Sequence, residues 1–522
     1  MSPAATTPPA LPTGLTRAML TVCAMSATIM QALDTTIANV ALPYMQGSLS
    51  ASLDQINWVL TSYIVASAIM TAPVGWMADR FGRKRLFIFC VALFTIASLL
   101  CAVAQTIEQM VLFRLLQGAG GAALVPLSQT VMMDSYPAEQ RTRAMAIWGV
   151  GVMLGPIMGP TLGGWLTDNY SWNWVFLINL PIGIFTVIGM LIFMEETKLN
   201  KNMRFDWFGF IALAVGIGSL QLMLDRGEQL GWFESTEIWA ELIIAIVGFY
   251  YFFAHSLTIK EPFIKFEMFR DRYFVGGCIF MVVIGIVLFG TMALITPFMQ
   301  NELGYPILTA GLLLGARGCG TLVAMMAVNM LMKFTQARNL VGIGLSLTAF
   351  TLWEMTGFTD NTTPEMLVFY GVIQGCGLGL VFVPLSSISF RTLPPHLRTS
   401  GSAMLTLVRN IGSSIGISMV IANLTSKTTL MHARLTESVT PFNGALYMPD
   451  VIANMNPNTD AGRMMLDALV TKQAAIIAYQ NDFKLLMFMT LATLPLLLVL
   501  GVTSTRKATP APTRGGEVHV LD

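Results

Sequence analysis

Asp34 is the residue whose chemistry is hardest to explain as packing. It lies in Leu33-Asp34-Thr35-Thr36-Ile37-Ala38-Asn39-Val40-Ala41-Leu42-Pro43, inside a long apolar run. A carboxylate in such a run is expensive when ionised, so it marks an ion or proton path or bonds a neighbouring helix. The proton-path reading is favoured here. Burial favours the neutral acid and a nearby cation favours the carboxylate, so a group held between the two can take up and release a proton. Arg114, in Arg114-Leu-Leu-Gln117-Gly118, is the candidate cation, about a turn inside its own apolar run; its other reading is a side chain that snorkels to the interface. Two more arginines lie within apolar runs, Arg317 in Gly315-Ala-Arg317-Gly318 and Arg409 in Arg409-Asn-Ile-Gly412. Each either attracts an anionic group or makes interhelix hydrogen bonds. Asn39, Tyr63, Gln117, Arg317 and Arg409 are the candidates for lining a substrate cavity. Trp58 is an interfacial anchor or a second aromatic contact for substrate.

Enzyme chemistry has little to stand on. His255, His396, His432 and His519 are scattered and form no metal cluster, and no paired carboxylates or nucleophile with its base stand out. No G-x-x-x-x-G-K-[ST] phosphate loop is present, so the chain has no visible means of hydrolysing ATP, and no cofactor is expected. The net charge of +1 leaves no basic surface for nucleic acid.

The elements that must position these residues are membrane helices. Of 522 residues, 54% are hydrophobic and 11% charged, against about 25% charged in a soluble domain. Apolar runs long enough to cross a bilayer fall near 17–42, 56–78, 86–105, 109–133, 143–166, 174–194, 207–224, 237–256, 274–299, 307–331, 339–358, 364–390, 399–424 and 484–504, which predicts fourteen spans. The first is expected to be a retained helix, because no charged segment with a small-residue cleavage site precedes it. With the N-terminus inside, the loops on that side hold Arg80, Arg83, Lys84, Arg85, Arg141, Arg143, Lys265, Arg270, Arg338 and Arg398, whereas the short opposite loops hold only Arg226. That bias predicts cytoplasmic termini. The six cysteines all fall within spans, so no disulfide framework is expected.

Glycines organise the fifth span. Gly151, Gly155, Gly159 and Gly163 recur every fourth residue, with Gly164 beside the last. They form one stripe on which another helix can approach closely. Pro156 and Pro160 interrupt the same helix and bend it. A leucine at Gly155 should therefore abolish packing, and alanine should be milder. Between the second and third spans, Gly75-Trp-Met-Ala-Asp79-Arg80-Phe-Gly82-Arg83-Lys84-Arg85 combines turn glycines with an acid and several bases. The second half of the chain echoes the first. Pro137, Arg141, Thr142 and Ala146 match Pro394, Arg398, Thr399 and Ala403, and Gly155 and Gly159 match Gly412 and Gly416. Gln117-Gly118 matches Gln374-Gly375, and Pro43 matches Pro297. Leu288 to Thr291, which matches the Asp34 region, contains no carboxylate. Repeated halves with a site between them are a transporter design.

Several runs carry a family resemblance. Leu33 to Pro43 resembles the first-helix motif of fourteen-span drug:proton antiporters of the major facilitator superfamily. Gly75 to Arg85 resembles the superfamily's G-x-x-x-D-R-x-G-R-K motif, Arg114 to Gly118 its R-x-x-Q-G motif, and Gly151 to Gly164 its antiporter G-x-x-x-G-P-x-x-G-G motif. Trp172 to Gly183, Leu224 to Gly227 and His432 to Asn443 are also similar to fourteen-span members, the last to the EmrB-type exporters. The resemblance implies an all-α major facilitator fold with two six-helix bundles and two extra helices. It implies proton coupling through Asp34 and Arg114, and a gating latch at Gly75, Asp79, Arg80, Gly82 and Arg83. It implies proton-driven export of amphipathic drugs or toxic small molecules across the bacterial inner membrane, with a periplasmic adaptor protein and an outer-membrane channel as partners; export of one lipid-like or siderophore-like metabolite is the alternative. The expected layout is a tail at 1–14, a first bundle at 15–194, two linking helices at 195–273, a second bundle at 274–504 containing a long periplasmic loop at 425–483, and a tail at 505–522.

Overall fold

The computed structural model describes residues 12–197, 200, 203–259, 262–440, 442–448 and 455–498. The tail residues 1–11 and 505–522 lie outside them, as does the end of the expected last span. The described residues form helices and contain no strand. The first bundle comprises α1 (Gly14–Ser48), α2 (Leu53–Thr71), α3 (Val74–Phe81), α4 (Arg83–Ala102), α5 (Ile107–Gly121), α6 (Leu124–Ser135), α7 (Arg141–Asn169), α8 (Trp174–Leu177) and α9 (Asn179–Phe193). The linking helices are α10 (Trp207–Arg226) and α11 (Thr236–Thr258). The second bundle comprises α12 (Arg272–Pro297), α13 (Ile307–Leu331), α14 (Ala337–Met355), α15 (Pro364–Ser389), α16 (Arg398–Thr436) and α17 (Asp460–Ala492).

Eleven helices are long and apolar enough to cross a membrane, and twelve if α2 and α3, which meet at 57°, are one bent span. The expected fourteen is reached only by adding α14 and α17. Both fall short because of polar residues: α14 begins with Arg338 and Asn339 and ends near Glu354, and α17 carries Arg463, Asp467, Lys472, Asp482 and Lys484. The described residues at both ends of 425–483 are helical. α16 continues to Thr436, α17 starts at Asp460, and His432 of one meets Asp467 of the other at 3.0 Å. Charged and polar residues at 427–437 suit a solvated helix as well as a loop, so composition alone did not separate the two. Large apolar side chains stand exposed around the helices, among them Ile192, Ile211, Ile246, Tyr250, Val323 and Met326. A soluble protein would not leave so broad an apolar surface uncovered; a lipid-facing one does.

The glycine stripe is where α1 and α7 touch. A Cβ on Gly155 would fall 2.2 Å from the Ala32 carbonyl carbon, and one on Gly159 would fall 2.0 Å from Thr36 Oγ1. Gly163 is looser, with Ile37 3.0 Å away, and Gly151 faces the Met25 side chain at 3.1 Å. Thr36 donates to the Gly155 carbonyl at 3.1 Å, so the two helices are also hydrogen-bonded at their closest point. Pro160 lies in the same continuous helix, as does residue 156, whose side chain is outside the described set. The second half repeats the device: Gly412 and Gly416 of α16 would place Cβ atoms 2.3 Å and 2.6 Å from the backbone of α12 at Val282 and Ile286.

The bundles meet along two seams. Trp148 of α7 stacks on Phe382 of α15 at 5.8 Å. At the face carrying the basic loops, Asp134 at the end of α6 accepts from both Arg83 of its own bundle and Arg398 of the other, the latter at 2.6 Å. Ser402 donates to Gln129 beside them. Gly75 lies so close to α16 that a Cβ would sit 2.2 Å from Ser400 Oγ. Gly82 adopts φ +89°, a conformation that favours glycine and lets the chain turn from α3 into α4. Asp79 accepts from Lys265 Nζ at 2.5 Å, which ties the segment after α11 into the same latch. The linking helices are not passive either: Gln221 of α10 donates to Ser414 of α16 at 2.7 Å, and Asp225 accepts from Thr61 of α2. Arg226 pairs with Glu237 and covers the Trp58 ring at 5.4 Å, which makes Trp58 an anchor for α10.

These distances correct the ranking of substitutions at Gly155. Alanine already forces a Cβ into backbone there, so Gly155→Ala should cost about 1–3 kcal/mol and lose transport, whereas Gly163→Ala should retain most of both. Thermal melting of the purified variants, with efflux from vesicles, checks the order.

Candidate functional site

Asp34 and Arg114 are in contact. Arg114 Nη1 donates to Asp34 Oδ2 at 2.7 Å, and both side chains are buried, at 1% and 0% exposure. The sequence put the two in separate helices and could not bring them together. The close approach of α5 to α2 helps to do so: a Cβ on Gly118 would lie 2.4 Å from the Tyr63 carbonyl oxygen, and Arg114, one turn earlier on α5, reaches both α2 and Asp34 of α1. Arg114 Nε then donates to the Val59 carbonyl at 3.0 Å, and the guanidinium lies over the rings of Tyr63 at 4.4 Å and Phe176 at 5.5 Å.

The carboxylate is caged on its other oxygen as well. Gln117 Nε2 donates to Asp34 Oδ1 at 2.8 Å, and Asn179 Nδ2 at the start of α9 approaches the same atom at 3.4 Å. Gln117 Oε1 accepts from Arg114 Nη1 at 2.8 Å, so the amide closes a ring between acid and base. Ser98 of α4 accepts from both Gln117 at 3.1 Å and Asn179 at 3.0 Å. Five helices thus supply a neutral, hydrogen-bonded cluster in which each charge has its opposite. In a low-dielectric interior such a network is stable only when complete. Protonating Asp34 removes the negative member and leaves the guanidinium held by the Val59 carbonyl, the Gln117 oxygen and the aromatic faces. The arrangement can therefore exist in two charge states without a separate counterion.

The other candidates are distributed. Tyr63, expected to line a cavity, is buried in the cluster, with its hydroxyl 3.5 Å from Gln31. Gln117 belongs to the cluster too. Asn39, a turn beyond Asp34, is exposed. Arg317 and Arg409 lie in the second bundle, each at most 9% exposed. Of the residues expected to form a latch, Gly75 packs on Ser400 of the second bundle, Asp79 bonds Lys265, Gly82 makes the turn into α4 and Arg83 bonds Asp134 of its own bundle, with Arg80 half-buried beside them. Three participants carried weak sequence signals. Asn179 stood in a quoted motif without a role, Ser98 is an ordinary residue in an apolar helix, and Asp134 is a single acid at a helix end. A second buried acid, Asp482, accepts from Asn423 at 2.5 Å, and its Oδ2 has no partner among the described residues. It was hidden because residues up to 483 read as a loop.

Residues 24–417 match the family model of the Major Facilitator Superfamily. The chain belongs to that superfamily. It is 34% identical over 469 residues to the multidrug export protein EmrB of Escherichia coli K12, covering 89% of this chain and 91% of that one. It is 33% identical over 473 residues to the fatty acid resistance protein FarB of Neisseria gonorrhoeae, covering 90% and 93%. Among solved structures it resembles a bacterial homologue of the lysosomal transporter Spinster, inward-facing and occupied, with a TM-score of 0.55 at 16% identity over 96% of this chain and all of that one. The human organic anion transporter MFSD10 superposes with a TM-score of 0.57 at 12% identity over 92% of this chain and all of that one. At those identities the structures speak for the fold. The sequence relatives support efflux of small molecules by a multi-span membrane transporter.

The pair predicts a specific pattern of losses. Arg114→Leu leaves a buried carboxylate unpaired and should cost about 3–5 kcal/mol. Combining Asp34→Asn with Arg114→Gln removes both charges and should recover most of that stability without restoring transport. Melting curves and vesicle efflux on the same three proteins check it.

Proposed function

We propose that this transporter exports amphipathic drugs or toxic small molecules across the bacterial inner membrane in exchange for protons, with both termini cytoplasmic. The observation that carries the reading is the Asp34 carboxylate, 0% exposed and bonded to Arg114, Gln117 and Asn179 within the membrane helices. Coupling requires the protonated and ionised forms to favour different conformations, and substrate to bind those conformations unequally. Helix α1 supports the first of these. It carries Asp34, and Thr36 two residues on is bonded to α7, so a change of charge at Asp34 bears directly on the α1–α7 contact. Asp34→Asn fixes the protonated charge state. It should abolish gradient-driven efflux from vesicles and proton release on substrate addition, while substrate binding to purified protein persists; Asp34→Glu should keep part of the coupled activity. Proton release by Asp34→Asn equal to wild type would assign the carrier role to another group.

The relatives named for multidrug export favour broad specificity. The relative named for fatty acid resistance favours a second reading, narrower export of a lipid-like acid, and a substrate panel separates the two. The extension of α16 and α17 supports a periplasmic adaptor and an outer-membrane channel as partners. Beyond the apolar part of the pair, Phe442 is 96% exposed and Met464 74%, and exposed apolar anchors of this kind carry interfaces. Phe442→Ser with Met464→Ser should weaken adaptor co-purification about tenfold and leave membrane insertion intact; unchanged co-purification counts against the assembly.

A further inference from the structure

Among the buried donors of the second bundle that have no partner, three lie together. Arg317 Nη1 and Nη2 and Gln374 Nε2 have no hydrogen-bond partner among the described residues, and the two side chains belong to residues 7% and 1% exposed. A buried guanidinium without an acceptor is costly, and so is a buried amide N–H. Both groups line one cavity of about 20 Å³, together with Ile295, Met299, Leu314 and Gly371. That is room for about one water-sized atom.

The repeat says what kind of atom fits. Gly118 packs on the Tyr63 carbonyl in the first bundle, and Gly375 packs on the Arg317 carbonyl in the second. Arg317 therefore occupies the place of Tyr63, Gln374 the place of Gln117, and Gly371 the place of Arg114. The guanidinium has moved from α5 in the first bundle to α13 in the second, and a glycine at 371 leaves the space it needs. In the first bundle an arginine and a glutamine together hold a carboxylate, Asp34. In the second bundle the same two donor types converge, and the matching helix offers Leu288 and no acid. Glu354, next to the lining helix position Met355, is engaged with the Tyr370 hydroxyl at 2.8 Å.

We propose that Arg317 and Gln374 form a carboxylate-binding site in the second bundle, which takes the head group of an acid from outside the chain. The guanidinium presents a fork suited to two carboxylate oxygens, and the Gln374 amide adds a third donor. As it stands the cavity admits only about one water-sized group, so the head group and the rest of the ligand enter as Met299 and Met355, the adaptable side chains of the apolar wall, move aside. The site rests on the transport reading only in that a transported acid would be its occupant; carboxylate binding itself needs no gradient.

The test uses the full-length protein in lipid nanodiscs, with decanoate, formate, decanol and chloride as probes and thermal unfolding as readout. A ligand that binds only the folded state raises the melting temperature. Decanoate should raise that of the wild type and decanol should not. Arg317→Met removes an unpaired buried charge, so its ligand-free melting temperature should equal or exceed that of the wild type, and decanoate should leave it unmoved. Gln374→Leu should weaken decanoate about tenfold. Should Arg317→Met fail to express, Arg317→Lys keeps the charge and loses the fork, and it should also weaken decanoate about tenfold. A formate response equal to that of decanoate assigns the site to small carboxylates, and a larger decanoate response assigns it to an acid with an apolar tail; both support the site. Chloride matching the carboxylates, no carboxylate response in the wild type, or an Arg317→Met protein that melts well below wild type would overturn it. Gradient-driven efflux of a cationic dye by the wild type is measured in parallel. Efflux without carboxylate binding overturns this site alone, and carboxylate binding without efflux overturns the transport reading alone.

Discussion

A charge pair that cannot reach water governs the first bundle. An ionised Asp34 without Arg114 would be costly at this depth, and the surroundings hold the two together: the Val59 carbonyl, the amides of Gln117 and Asn179, the Ser98 hydroxyl and two aromatic faces. These come from α1, α2, α4, α5 and α9, together with Phe176 from α8. Loss of the pair would therefore be felt through most of the bundle. The glycines serve the same end, because close approach of α5 to α2 at Gly118 and of α7 to α1 at Gly155 fixes the depth and direction of the two charged helices.

The second bundle keeps this skeleton and changes its charges. Gly375 lies on Arg317 as Gly118 lies on Tyr63, and Gly412 and Gly416 hold α16 on α12 much as the earlier stripe holds α7 on α1. Close backbone contacts tolerate no Cβ and so resist change after duplication, whereas a buried polar side chain can be moved or dropped if its partner goes with it. The first bundle pairs its buried arginine with an acid, whereas in the second Arg317 has no acid beside it and the buried acid Asp482 bonds Asn423 instead.

Much of the fold could be read from the chain because glycine spacing, apolar run length and basic-loop bias each follow from a single physical cause. Asp34, Arg114 and Gln117 were legible for the same reason: polar groups inside hydrocarbon need partners. What the sequence did not show was who the partners are. Ser98 and the Val59 carbonyl have no distinguishing type, since a serine in a membrane helix bonds its own backbone as readily as a neighbour. Asp482 and the long ends of α16 and α17 were missed because a solvated helix and a loop share a polar composition, and only the pairing of His432 with Asp467 across the hairpin separates them. The run from Gly75 to Arg85 was legible as a motif, but its surroundings were not: Arg398, Ser400, Ser402 and Lys265 come from distant parts of the chain.

Asp134 holds one arginine from each bundle, and the two sit on different oxygens: Arg83 on Oδ2 and Arg398 on Oδ1. Were the bundles to part here, Asp134 would lose only Arg398 and keep Arg83, although the Ser402–Gln129 bond and the packing of Gly75 on Ser400 would have to break as well. A fastener built this way favours the joined state without leaving an orphaned acid when it opens.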